Sequence, residues 1–167
     1  RGIRLEGLQT LPGKTMRWTG KYSADMNSRD TLDFQANTFG DFEPVVPDEF
    51  RETPYVFLAN AAPATQLRVL EQMTNPGFVV ADTMDLWIGT ARNDLDRLLP
   101  QLDGLILNDE EALQLTGENQ LIRAGRKLLE MGPKLVSVKK GEHGSFLFSY
   151  YFRYALPAYP TERVVDP

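Results

Sequence analysis

The sequence predicts an α/β fold, in which a mostly parallel β-sheet is flanked by helices in three layers and a small β-strand lid lies beside it. From residue 55 onward, short apolar runs of strand length alternate with amphipathic helical stretches, which is the pattern of parallel sheets. The preceding residues instead carry apolar side chains at every second position, as a hairpin with one buried face does. We therefore expect a β-hairpin segment over residues 1–40, which we call the lid, and an α/β core over residues 41–167.

The lid is predicted from two stretches of alternating polar and apolar residues. Their apolar positions are Met16, Trp18, Gly20, Tyr22, Leu32, Phe34 and Ala36. A two-stranded ribbon is marginal in water by itself, so its apolar face should cover the core, a partner subunit or a bound substrate. An edge hairpin of the main sheet is the alternative. Trp18 and Trp87 are interpreted as packing residues rather than as stacking platforms.

The core elements follow a connector with three prolines, from Gly40 to Pro54. Strands are expected at residues 55–59, 78–81, 105–107, 135–139 and 145–148. Helices are expected at residues 65–73, 95–102, 110–116 and 119–131. Pro100 should shorten or kink the second of these helices.

One stretch does not fit a continuous hairpin. Strand-forming residues continue from Gly144 to Pro160, and Ser149 is the only turn-type residue before Pro157. Because a hairpin needs a bend, we expect a loop to be missing from the sequence near Ser149 and Tyr150.

Composition narrows the class of protein. The formal net charge of −5 argues against a nucleic-acid partner, because such binding depends on clustered Lys and Arg. No apolar run reaches the ~18 residues of a membrane-spanning helix, and the first residues lack the apolar segment of a signal peptide. The chain has no cysteine, which excludes disulfides and thiolate metal sites. We expect a cytoplasmic protein with neither a nucleic-acid nor a membrane partner.

Polar residues follow the strand of Leu105, Ile106 and Leu107. Asn108 is placed at the N-cap of the next helix, and Glu111 three residues later completes a capping box. Fold stability alone would explain this pair. The alternative is that Asn108 and Glu111, on one helical face, hold the hydration shell of a Mg²⁺ ion carried by a phosphate, because Mg²⁺ keeps most of its waters.

A second polar segment, Gly141-Glu142-His143-Gly144, follows the strand that ends at Lys139. Its two glycines could serve the turn alone. They could instead admit a phosphate chain, with Lys139 or Lys140 supplying the compensating charge. His143 is interpreted as a solvated turn residue.

Two further strand ends carry polar side chains. Asn60 would face a substrate cleft or cap the turn before Pro63. Asp82 would order water around a phosphate or begin the helix toward Trp87, and the second role is favoured.

Taken in order, Asn108-x-x-Glu111, Gly141-x-x-Gly144 and the terminal Val-Val-Asp-Pro resemble the ribokinase-like (PfkB) carbohydrate kinase family. The resemblance implies a ribokinase-like fold whose lid closes over a sugar and often forms a homodimer. It implies ATP and Mg²⁺ as cofactors and transfer of the γ-phosphate of ATP to a hydroxyl of a carbohydrate. A nucleoside kinase of the same family is the alternative, and a non-catalytic module that binds a partner through the hairpin is another.

The resemblance also implies roles for individual residues. The nucleotide would contact Lys139, Gly141, Gly144 and Asn108. Asn108 and Glu111 would hold Mg²⁺ through water, and Asn60 would contact the sugar. Asp166 would belong to a loop that coordinates a monovalent cation such as K⁺, although Pro167 stands where many members have Thr. The family's catalytic base is expected after Pro167, so we expect the chain by itself to be inactive.

Overall fold

The computed structural model describes residues 2–23 and 29–162. The predicted cation contact of Asp166 lies outside these residues. The lid consists of β1 (Arg17–Tyr22) and β2 (Arg29–Gln35), which pair antiparallel. This two-stranded sheet is separate from the main sheet, so the alternative of an edge hairpin is wrong.

The core contains six strands and five helices within the described part of the chain. The strands are β3 (Tyr55–Leu58), β4 (Phe78–Asp82), β5 (Gly104–Asn108), β6 (Leu135–Lys139), β7 (Ser145–Ser149) and β8 (Arg153–Leu156). The helices are α1 (Pro63–Leu70), α2 (Asp85–Thr90), α3 (Arg92–Leu98), α4 (Asp109–Thr116) and α5 (Leu121–Glu130). The strands lie in sequence order, β3 to β6 parallel and β6 to β8 antiparallel. The α/β prediction is confirmed.

Burial explains why these segments form these elements. Leu105 and Leu107, on one face of β5, are 1% and 0% exposed, and Ile106 on the other face is half-buried, as expected of a central strand with helices on both sides. The four leucines that mark α3 and its continuation are all buried, namely Leu95, Leu98, Leu99 and Leu102. The helix ends at Leu98, and Pro100 lies in the 3-10 turn Leu99–Gln101 that follows, so the predicted shortening is confirmed.

The lid differs from its predicted alternation. Trp18 pairs with Phe34, but a β-bulge follows and Gly20 pairs with Thr31. Because the bulge shifts the register by one residue, Thr31 replaces Leu32 on the face of Trp18. Leu32 is 63% exposed. The expectation of a single apolar face that includes Leu32 is therefore wrong.

The hairpin between β7 and β8 closes without further residues. The Ser149 amide donates to the Phe152 carbonyl at 2.9 Å. The Ser149 hydroxyl accepts from the amides of Tyr151 and Phe152 at 3.0 and 3.1 Å. A serine side chain thus organises the bend that glycine or asparagine usually provides. The bend whose apparent absence led to the expectation of a missing loop near Ser149 and Tyr150 is therefore present, and the loop itself stays a prediction.

In the described part of the chain, no helix combines the length and the apolar character needed to cross a membrane.

Asp103 joins three strands at the edge of the sheet opposite the strands' carboxyl ends. Its Oδ2 accepts from the Val79 amide at 2.8 Å, and its Oδ1 accepts from Lys134 Nζ at 2.5 Å. Its backbone carbonyl accepts from the amides of Lys134 and Leu135. Burial opposes ionisation of this carboxyl, but the hydrogen bonds from Lys134 and Val79 outweigh it and lower the pKa of Asp103.

Asp103→Asn should destabilise the full-length protein by about 1 kcal/mol at neutral pH, because the charge-assisted bond to Lys134 is lost. A lowered pKa stabilises the fold above the ordinary pKa of aspartate, and this contribution disappears as the pH falls through the lowered value. Urea unfolding from about pH 7 to about pH 3 should therefore show the wild type and the variant converging. Asp94→Asn, which removes an exposed pair with Arg97, is the control. A difference that stays constant over this range would contradict the assignment.

Candidate active site

The candidate site lies where β4, β5 and β6 end side by side. Parallel strands bring their carboxyl ends to one edge of the sheet, where ligands bind in open α/β folds. In the observed register Asp82 is the partner of Ile106, and Asn108 is the partner of Lys139. The sheet therefore places residues from three separate stretches of sequence at a common edge.

The N-terminus of α4 carries the predicted capping box. Asn108 Oδ1 accepts from the Glu111 amide at 2.7 Å, and Glu111 Oε2 accepts from the Asn108 amide at 2.7 Å. The prediction of this box is confirmed. It uses one of the two carboxylate oxygens of Glu111, so the capping role and a role toward a metal are compatible.

Glu111 is a buried carboxyl group at this edge of the sheet, and several charged neighbours act on it. It is 4% exposed, and burial raises its pKa above that of an ordinary glutamate. The Asn108 amide and the charge of Lys139 oppose this rise in the pKa, whereas the carboxylates of Asp82 and Asp85 add to it. Two carboxylates and one ammonium group from the neighbouring strand ends thus act on Glu111. We call Asp82, Asp85, Asn108, Glu111 and Lys139 the edge cluster.

The side chains of the edge cluster suit a hard metal cation better than a soft one. All its neutral and anionic donors are oxygen atoms, which suit a hard cation. Among residues 2–23 and 29–162 no three His, Cys, Asp or Glu side chains are grouped to hold an ion directly. Oxygen ligands suit Mg²⁺, which keeps several of its waters when it binds to proteins.

Two buried polar residues near the edge were missed by the sequence interpretation. Gln66 Nε2 donates to the carbonyls of Leu58, Ala59 and Asp82 at 3.0–3.1 Å, which holds the ends of β3 and β4 together. The hydroxyl of Thr83, beside Asp82, is buried without a hydrogen-bond partner among the described residues. The only signal for Gln66 was a polar residue beside the core leucine Leu67.

Asn60 connects the end of β3 to α2. Its Nδ2 donates to Met84 Sδ at 3.1 Å, and its Oδ1 accepts from Trp87 Nε1 at 2.9 Å. The helix after it has Ala62 as N-cap and no side-chain cap, so the alternative that Asn60 caps this turn is wrong. A contact between Asn60 and a substrate stays a prediction. The packing role of Trp87 stays a prediction.

Asp82 does not begin α2. The N-cap of this helix is Met84, without a side-chain bond, and Asp82 Oδ1 instead accepts from the adjacent Thr83 amide at 2.9 Å. The favoured interpretation of Asp82 as a helix start is therefore wrong. Its remaining interpretation, ordering water around a phosphate, is consistent with its place in the edge cluster.

The turn after β6 separates the two candidate lysines. Lys140 Nζ lies 3.7 Å from the centroid of the Phe146 ring, whereas Lys139 acts on Glu111. Lys139 is therefore the lysine of the edge cluster. His143 is exposed and has Glu142 as its charged neighbour at 3.7 Å, in agreement with a solvated turn residue.

Gly144 is packed against backbone. A β-carbon at this residue would lie 1.9 Å from the carbonyl oxygen of Leu156 and 2.7 Å from the amide nitrogen of Ala158. The turn explanation therefore accounts for Gly144. Phosphate contacts of Gly141 and Gly144 stay predictions.

A pocket of about 400 Å³ lies between the lid and α2. It is lined by Trp18, Thr31, Phe34, Met84, Asp85, Leu86, Gly89, Thr90 and Gln114. We call it the lid pocket. Because Asp85 belongs to both the lid pocket and the edge cluster, the two are adjacent.

Comparison with known proteins shows similarity in sequence and in fold. The chain is 28% identical over 170 residues to a cytidine kinase of Thermococcus kodakarensis, and the alignment covers 99% of this chain and 60% of that enzyme. A nucleoside kinase of Burkholderia thailandensis in complex with inosine superposes with a TM-score of 0.72 at 17% identity, over 99% of this chain and 55% of the other.

A protein from E. coli assigned as a ribokinase II superposes in its apo form with a TM-score of 0.73 at 20% identity, over 92% of this chain and 53% of the other. The structure of such an E. coli protein in complex with ATP and Mg²⁺ superposes with a TM-score of 0.65 at 20% identity, over 88% of this chain and 52% of the other. At these identities the structural likeness shows the fold. The chain spans between half and two thirds of the length of these proteins.

The sequence pattern that describes pfkB family carbohydrate kinases matches residues 19–167. This match covers the last four of the six residues of β1, the whole six-stranded sheet and every member of the edge cluster. The chain therefore belongs to the pfkB family of carbohydrate kinases.

Proposed function

We propose that the full-length protein transfers the γ-phosphate of ATP, with Mg²⁺, to a hydroxyl group of a sugar or of a sugar-containing molecule. The observation that carries this proposal is the edge cluster, which places carboxylate, amide and ammonium groups beside a pocket that the lid helps to line. Phosphoryl transfer depends mainly on positioning and on charge neutralisation, and the edge cluster and the lid could provide both.

Each residue has a proposed role. Glu111 and Asn108 hold waters of the metal ion, and Lys139 approaches the phosphate oxygens together with the turn of Gly141 and Gly144. Asn60 contacts the acceptor. The Mg²⁺ ion would neutralise charge on the transferring phosphoryl group. The catalytic base, and a K⁺ loop that includes Asp166, stay predictions from the family resemblance.

The lid has a second proposed role. By resemblance it forms a homodimer, and Leu32 on its outer face is 63% exposed. An apolar side chain at that place is available for contact with a second copy.

An ATP-consumption assay over hexoses, pentoses and nucleosides tests the proposal. We expect consumption only when an acceptor is present, because closure of the lid completes the site and excludes water. Removal of Mg²⁺ with a chelator should abolish it. No consumption of ATP with any acceptor of the panel would refute the substrate class. Equal consumption of ATP without any acceptor would show a hydrolase instead.

A further inference from the structure

We propose, building on the phosphoryl transfer proposed above, that the acceptor is a nucleoside and that its base lies in the lid pocket. The lid contributes Trp18, Thr31 and Phe34 to this pocket, and α2 with the residue before it contributes Met84, Leu86 and Gly89. The size of about 400 Å³ is in the range of pockets for small organic ligands. Two aromatic rings and two long apolar side chains therefore surround a space of ligand size.

The Trp18 ring is held in a defined orientation. Its Nε1 donates to the Thr31 hydroxyl at 3.1 Å. Its six-membered ring occupies the space where a β-carbon on residue 20 would lie, 2.1 Å from Cη2, which only Gly20 leaves open. The bulge that brings Thr31 onto this face makes the hydrogen bond available. A fixed aromatic face favours stacking, since little freedom is lost when a ring binds to it.

The lining chemistry separates the two acceptor classes. A free sugar presents hydroxyl groups over most of its surface, and each hydroxyl buried without a partner costs free energy. Trp18, Phe34, Met84 and Leu86 give the pocket a mainly apolar surface, and the indole N–H is already bonded to Thr31. The polar side chains of the lining are Thr31, Asp85, Thr90 and Gln114, too few to serve all the hydroxyl groups of a free sugar. A planar base instead needs stacking surface and a few polar contacts at its edge, for which Gln114 and Thr90 line the pocket.

The position of the pocket also favours a ligand with two different parts. Asp85 lines the lid pocket and acts electrostatically on Glu111. A molecule that reaches from this pocket to the edge cluster therefore needs a flat apolar part at one end and a phosphate-accepting hydroxyl at the other. A nucleoside has this construction, with its base in the lid pocket and its sugar hydroxyl toward the edge cluster.

Isothermal titration of the full-length protein with cytidine, inosine, ribose and fructose, without ATP, tests the proposal. We expect at least one nucleoside to bind about tenfold more tightly than either sugar, since stacking of one base contributes at this level. Trp18→Ala should remove this advantage and leave the affinity for ribose unchanged, whereas Trp18→Phe keeps an aromatic face and should retain most of it. Lys21→Ala, an exposed residue on the opposite face of the same strand, is the matched control and should bind all four compounds as the wild type does.

A second variant changes the lid pocket from the side of α2 and leaves the lid itself unaltered. A β-carbon at Gly89 would meet only Gln114 Nε2, at 3.9 Å, so Gly89→Leu can place a side chain in the pocket without disturbing α2. We expect it to lose nucleoside binding about tenfold while keeping the wild-type melting temperature. Sugars that bind as tightly as both nucleosides overturn the proposal, even if the protein phosphorylates them. Trp18-dependent nucleoside binding without any phosphoryl transfer supports the base site and refutes the proposed function.

Discussion

Glu111→Gln is expected to lower turnover of the full-length protein about 10- to 100-fold, the usual effect of losing a group that holds a metal through its second shell. The free energy of unfolding should change by no more than about 1 kcal/mol. Glutamine can still accept the hydrogen bond from the Asn108 amide that Glu111 Oε2 accepts at 2.7 Å. The substitution also removes a buried carboxylate, whose charged form is disfavoured by burial. This gain offsets part of the loss from the weaker hydrogen bond to the Asn108 amide.

Glu110→Gln is the matched control for this change. Glu110 lies in the same first turn of α4 but is exposed and outside the capping box. It should leave both turnover and stability near the wild-type values. Steady-state kinetics per folded molecule, together with urea unfolding, separates the two effects. A sharp loss of stability with unchanged turnover in Glu111→Gln would show that Glu111 is only a helix cap.

Gly144→Ala is expected to destabilise the protein by about 3 kcal/mol or more, at the upper end for a single substitution. The backbone at Gly144 has φ +80° and ψ −133°, a combination that residues with a β-carbon avoid. In addition, the new β-carbon would overlap the Leu156 carbonyl and the backbone of residues 157 and 158. The strand-to-strand connection must shift to relieve this overlap.

Gly117→Ala separates the two causes. Gly117 has φ +71° at the end of α4, and no atom lies within 4 Å of where its β-carbon would be. It should cost only the left-handed penalty, about 1 kcal/mol. Urea unfolding of both variants measures the difference. Equal losses of stability would show that the contact with residues 156–158 is absent, and a stable Gly144→Ala protein that has lost MgATP binding would favour the phosphate role for this glycine.

The comparison of prediction with structure differs between the core and the lid. In the core, β6 has the predicted bounds and α4 begins one residue earlier than expected. In the lid, the strands were found but the face of Leu32 was predicted wrongly, because one extra residue in a bulge reverses every later side chain. Alternation in sequence cannot show a bulge, since both registers keep the same pattern.

The candidate site shows the same division. The pairing of Asn108 with Glu111 was readable because both partners lie within one helical turn. The effect of Asp85 on the pKa of Glu111 and the hydrogen bonds of Gln66 could not be predicted from the sequence. Both depend on residues from other strands or helices. The choice between Lys139 and Lys140 likewise depended on the ring of Phe146 from the neighbouring strand.

The sequence by itself determined the α/β class, the approximate positions of most core strands and helices, and the helix cap at Asn108. These depend on apolar periodicity, on backbone sterics at residues such as Pro100, and on hydrogen bonds between near neighbours. Only the tertiary structure decided the separate lid sheet, the turn at Ser149, the edge cluster and the lid pocket. These depend on which strands pair and in which register, and hence on contacts between residues far apart in the chain, whose free energies leave no local pattern in the sequence.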